Sequence, residues 1–182
     1  MDVRRLAIPE VLVLMPRAFE DERGHFFESF NQRAFDQAVG RPVTFVQDNQ
    51  SFSARGVLRG LHYQVAPNPQ GKLVRAVAGR IFDVAVDLRR GSPTFARWVG
   101  VELSEANRAQ LWIPEGFAHG FLALEPGSVV FYKTTDYWNH AAERCIRWDD
   151  PSIGILWPDA GTPLLAAKDR AGARLEDAEV FV

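Results

Sequence analysis

Apolar residues in the middle of the chain fall in short runs rich in β-branched and aromatic side chains, at residues 74–77, 81–88, 98–103, 110–113, 120–124 and 129–134. Turn-forming residues separate them: Gly79-Arg80, Arg90-Gly91-Ser92-Pro93, Pro114-Glu115-Gly116 and Glu125-Pro126-Gly127. Short strands at this spacing predict an all-β sandwich or barrel, because an antiparallel sheet must close or stack to hide its edges. Two stretches read as helical. Residues 32–39 place Phe35 and Val39 four apart and stop at Gly40, and a short helix with a ragged tail is expected from Ala166 onward. Residues 103–107 read as a turn, and residues 149–158, punctuated by Pro151 and Pro158, as loop and edge strand. With no repeat, low-complexity segment or linker, residues 1–182 are expected to form a single domain.

Charge interrupts these apolar strands. Alternation along 82–88 puts Phe82, Val84, Val86 and Leu88 on one face and Asp83, Ala85 and Asp87 on the other. That second face is either solvated or, in a small barrel, the wall of a ligand cavity. His119 between apolar neighbours, Tyr132 and Lys133 after Val129-Val130-Phe131, and Lys72 after Gly71 repeat the pattern. Several polar groups on apolar strands point to a polar pocket where titratable side chains converge.

Composition narrows the chemistry. A net charge of -2 gives no basic field for nucleic acid or an anionic membrane, although a few arginines in one pocket would not register in it. The single cysteine, Cys145, allows no intramolecular disulfide and is read as a partly buried thiol that leaves no cysteine-based zinc site. The histidines His25, His62, His119 and His140 form no His-X-His pair, so no catalytic metal is expected. The N-terminal residues lack the apolar core of a signal peptide, and no apolar run reaches the ~20 residues of a membrane span, so a cytoplasmic protein is expected.

Seven blocks, in order, resemble the dTDP-4-dehydrorhamnose 3,5-epimerases: DERGHFFES at 21–29, FVQDN at 45–49, VLRGLHYQ at 57–64, QGKLVR at 70–75, FDVAVD at 82–87, WIPEGFAHGF at 112–121 and YKTTDY at 132–137. The resemblance implies a cupin-like jelly-roll barrel with a few short helices, without metal or other cofactor, acting as a homodimer. It implies conversion of dTDP-4-keto-6-deoxyglucose to dTDP-4-keto-rhamnose in dTDP-L-rhamnose biosynthesis.

The residues suit that chemistry. A ketone at C4 acidifies the protons on C3 and C5, and losing either leaves an enolate with charge on O4. His62 suits the base, since a neutral imidazole accepts a proton near neutral pH. By resemblance Asp169, in the AAKD run at 166–169, orients its ring. Lys72 suits the enolate oxygen, and Tyr132 suits an acid on the opposite face. His119 and Asp83 are expected behind them, holding Lys72 in place. Arg23 and Arg59 would clamp the pyrophosphate. Gln47, Asn49 and Glu28 would hydrogen-bond the nucleoside, and Trp138 would stack on the base, with Glu143 and Lys168 completing the set. Arg23 and Glu28 are expected to reach across the dimer.

One departure concerns the segment after Asp169, which lacks a proline common in the family and is expected to be more flexible. There is also a geometric conflict. Strict alternation puts Arg59 and His62 on opposite faces, so both can enter one pocket only if the strand bends or bulges near Gly60. Three other readings stand beside the double epimerase: a mono-epimerase acting at C3 or C5 only on a related sugar nucleotide, a metal-dependent cupin enzyme, and a sugar-nucleotide binding module.

Overall fold

A computed structural model describes residues 1–182. Thirteen strands run in chain order: β1 (Asp2–Arg5), β2 (Leu12–Met15), β3 (Ala18–Asp21), β4 (Gly24–Phe27), β5 (Gln47–Ser53), β6 (Leu58–Gln64), β7 (Lys72–Ala78), β8 (Arg80–Asp87), β9 (Trp98–Ser104), β10 (Gln110–Ile113), β11 (Phe117–Ala123), β12 (Ser128–Thr134) and β13 (Glu143–Cys145). Two short helices, α1 (Gln32–Val39) and α2 (Ala167–Arg170), and a 3₁₀ turn at Leu175–Asp177 complete it. No helix is long and apolar enough to cross a membrane.

The strands form the two walls of a jelly roll. One sheet has the order β1-β2-β10-β7-β12-β5 and the other β13-β6-β11-β8-β9, with β3 and β4 as a separate hairpin. Every pairing between these strands is antiparallel. The inner faces meet in a core that includes Val13, Val74, Leu111 and Val130 from one sheet and Ile81, Ala85, Phe117 and Phe121 from the other. Such side chains contribute about 1.5–3 kcal/mol each on full burial.

The outer faces are covered too. Phe35 of α1 packs against Leu12, Leu73 and Trp112 outside the first sheet. The helix is held there by the Asn31 side chain, which accepts from the Ala34 N–H, and by Gly40, whose φ of 83° only glycine adopts freely. Outside the second sheet, Leu61, Val84, Val86 and Leu88 meet Ile153, Trp157, Leu175 and Phe181 from the C-terminal segment.

The helix at 32–39 matches its expected bounds, and the six expected strands appear within a few residues of theirs. Residues 149–158 differ from expectation, since they contain no strand. The buried Asp150 carboxylate accepts from the N–H groups of Ser152 and Leu175, which satisfies that loop without sheet pairing. A solvated outer face for Asp83 and Asp87 is also overturned, because both are 0% exposed. The Asp87 carboxylate instead accepts from Arg89, Ser92 and Thr94 of the turn that follows it. These bonds outweigh burial and hold it down at about 2.

The Arg59–His62 conflict is resolved by an extra residue. Arg59 pairs with Phe121 and His62 with His119, so three steps along β6 oppose two along β11. That offset is a bulge, and it returns both side chains to the inner face while Leu61 turns outward. Gly60 sits at the offset with φ 130°, and a Cβ there would lie 2.6 Å from the Gly120 Cα and 2.8 Å from the His119 carbonyl oxygen. Gly60→Ala is therefore expected to destabilise the fold by at least about 2 kcal/mol in urea unfolding. Gly91→Ala, where an added Cβ meets nothing within 4 Å, should change little.

Candidate active site

The barrel encloses a cavity of about 430 Å³ between the two sheets. Its walls come from different sheets. β6 and β11 present Arg59, His62 and His119 from one side, while β5, β7 and β12 present Gln47, Asn49, Lys72 and Tyr132 from the other. Trp138, Glu143, Lys168 and Asp169 line the same cavity from β13, α2 and the loop after β12. Eleven of the residues expected from the sequence thus converge.

His62 and Asp169 are 107 positions apart, yet Nε2 of the imidazole lies 2.6 Å from Oδ1 of the carboxylate. Asp169 is 2% exposed, on the single turn of α2 that packs against β6. The segment after it, expected to be flexible, is tied down. The Ala173 N–H donates to the Cys145 carbonyl and the Arg147 N–H to the Ala173 carbonyl, at 2.9 Å each. Burial lowers the pKa of His62 below its ordinary 6.5, and the Asp169 carboxylate offsets only part of this. The imidazole is therefore mostly neutral at pH 7, the form a base requires.

Lys72 is 7% exposed, and its Nζ donates to the His62 carbonyl oxygen at 3.3 Å. Burial pulls its pKa down to about 8, with Asp83 and Glu143 opposing the drop. Neither Asp83 nor His119, expected to hold Lys72 in place, hydrogen-bonds to it. Oδ1 of Asp83 lies 2.6 Å from His119 Nε2, while Oδ2 is buried with no hydrogen-bond partner. Asp83 acts on Lys72 through its charge instead. Burial raises the pKa of Tyr132, so its phenol stays protonated at neutral pH and can donate.

The mouth is built from polar contacts. Arg59 is braced on β5 by the Ser53 hydroxyl at 3.2 Å and the Phe52 carbonyl at 3.0 Å. Lys168 pairs with Glu143 at 2.9 Å. Burial alone would raise the Glu143 pKa, but Lys168 pulls it below the ordinary carboxylate value. Gln47 donates to Asn49 and accepts from the Trp138 backbone N–H, so its amide ties down the chain at Trp138, which is 55% exposed.

Two expected residues lie elsewhere. Arg23 is at the exposed tip of the β3–β4 hairpin, paired with its own Asp21, and Glu28 is exposed beside Met1 and Leu14, so neither lines this chain's cavity. Ser51, Tyr63, Gln64, Gln70, Phe121 and Ala166 line it without having been expected. Ser51 lies two residues beyond Asn49 on the same face of β5, which strand alternation could have indicated. Gln64 pins the rim, donating to the Asn68 and Tyr137 carbonyls and accepting from the Asn139 N–H.

A mixed metal-ligand set also appears. His62, Cys145 and Asp169 each place one donor atom within 4.8 Å of the others. Counting cysteines had excluded a thiolate site, but that count rules out only cysteine-rich ligand sets.

The family model for dTDP-4-dehydrorhamnose 3,5-epimerase matches residues 5–177. The chain belongs to this family. A dTDP-4-dehydrorhamnose 3,5-epimerase from Pseudomonas aeruginosa is 60% identical over 181 residues, covering 100% of this chain and 99% of the relative. The crystal structure of the Legionella pneumophila dTDP-6-deoxy-D-glucose-3,5-epimerase in complex with dTDP-4-keto-L-rhamnose superposes with a TM-score of 0.95 at 46% identity, covering 98% of this chain and 94% of that one. A 3'-monoepimerase from Streptomyces bikiniensis in complex with dTDP-quinovose superposes with a TM-score of 0.88 at 34% identity, covering 94% and 87%.

The electrostatics set a pH dependence. Activity should fall on the acid side as His62 gains a proton below pH 6.5, and on the alkaline side as Lys72 loses one near pH 8. A bell-shaped profile of kcat/KM against pH checks this. Asp169 raises the His62 pKa, so Asp169→Asn should move the acid limb to lower pH. The same variant should lower the plateau by roughly 10²–10⁴-fold.

Proposed function

We propose that the chain inverts C3 and C5 of dTDP-4-keto-6-deoxyglucose to give dTDP-4-keto-rhamnose, a step of dTDP-L-rhamnose biosynthesis. One observation carries the mechanism: His62 and Tyr132 enter one cavity from opposing sheets. A sugar ring lying between them presents one face to a neutral imidazole and the other to a protonated phenol. His62 takes the proton from C3 or C5, and Asp169 stabilises the imidazolium that forms. Charge develops on O4 beside the Lys72 ammonium, whose burial strengthens that interaction. Tyr132 returns a proton from the other side, which inverts the carbon. Electrons enter and leave the enolate within the sugar, so the reaction calls for no redox cofactor.

Arg59 meets the pyrophosphate at the mouth, and Trp138 stacks on the thymine. Gln47, Asn49, Glu143 and Lys168 position the rest of the nucleotide, and His119 buttresses the pocket floor. Arg23 and Glu28 are contributed by the neighbouring subunit of a homodimer. Their exposure on and beside a projecting hairpin supports that reading. A nucleotide-sugar substrate fits the cytoplasmic setting expected from the sequence. Relatives of 60% and 56% identity that carry the 3,5-epimerase name favour the double reaction over mono-epimerisation.

The two walls predict different failures. In deuterated water, His62→Ala should abolish exchange at both carbons, measured by NMR of the recovered sugar nucleotide. Tyr132→Phe should retain part of the exchange but lose inversion, because the proton returns to the face it left. Full inversion by Tyr132→Phe would assign the acid to another group.

A further inference from the structure

The row of side chains across the second sheet places Cys145 directly opposite His62 on β6. Partners in such a row project to the same face. Asp169 arrives from α2 and closes the group, so imidazole, thiol and carboxylate come from three separate segments to within 4.8 Å. Zinc bonds of about 2.0–2.3 Å put tetrahedral ligands roughly 3.3–3.8 Å apart, which small side-chain rotations reach from here. His62 and Asp169 line the cavity, so a fourth position opens onto water.

We propose that His62, Cys145 and Asp169 form a binding site for a thiophilic divalent cation, of the zinc or cadmium class, and that occupancy inhibits the enzyme reversibly. The metal takes a lone pair on His62 that proton abstraction needs. It replaces the hydrogen bond between imidazole and carboxylate with bonds from each to the metal. The Cys145 S–H bond breaks as the S–metal bond forms, the proton leaves to buffer, and no oxidation state changes. The imidazole keeps its proton on the ring nitrogen the metal does not take. Because the metal displaces the thiol proton, binding tightens as pH rises. Cys145 has no part in the proposed epimerisation, which separates this site from the reaction it blocks.

The inhibition rests on His62 being the base, whereas the binding does not. Cadmium titration of the wild type, followed by the thiolate-to-metal absorption band, should saturate at one equivalent. Cys145→Ser and Cys145→Ala should lose the band and keep basal epimerase activity. Zinc should inhibit the wild type, and the serine variant should need at least about 10-fold more. Absence of the band in the wild type, or cysteine variants as sensitive to zinc as the wild type, overturns the site. A saturable band in a protein without epimerase activity upholds the site and counts against the proposed function alone.

Discussion

The active-site wall depends on one extra residue in β6. Without the offset at Gly60, Arg59 and His62 would occupy opposite faces of their strand, and a pocket holding one would exclude the other. The offset also sends Leu61 outward, where it is fully buried against the C-terminal segment. Losing a buried leucine typically costs about 2–5 kcal/mol, so the same bulge that aims the functional groups is anchored by packing behind it. Close approach of Gly60 to Gly120 leaves no room for a side chain at that step.

From that wall the electrostatics follow. His62 is buried enough to stay neutral, and Asp169 is placed to receive the imidazolium once it forms. Lys72 on the facing sheet is buried as well, at the price of a lowered pKa, but Asp83 and Glu143 keep much of its charge at neutral pH. Asp83 is itself fully buried and half satisfied, so it depends on Lys72 and His119 in turn. Removing one member of such a buried set commonly costs about 3–5 kcal/mol, because the others are left uncompensated. His62 and Lys72 are thus surrounded by charged groups that need one another for stability.

Much of the fold was legible because hydrophobic runs between Gly- and Pro-rich turns mark buried strands directly. β5 was not, since Gln47–Ser53 alternates half-buried and exposed positions with almost no apolar residue. It becomes a strand through its pairing with β12. The roles of His62, Lys72 and Tyr132 came from matching motifs, while composition offered only a hint of polar groups on apolar strands. No local pattern places Asp169 beside His62, because only tertiary packing brings α2 to β6. Cys145 shows in the sequence only as a partly buried thiol, since its nearness to His62 is a matter of strand register that no local pattern carries. Arg23 and Glu28 matched a motif and yet lie outside the cavity of their own chain.

The central claim is that two opposing walls exchange protons on opposite faces of one sugar at two carbons. Turnover of the 4-keto-6-deoxy sugar nucleotide by the wild-type protein in deuterated water tests it most directly. The account predicts solvent deuterium at both C3 and C5 of the inverted product. Label at one carbon alone would contradict the double inversion, and label at neither, from folded protein, would contradict the epimerase.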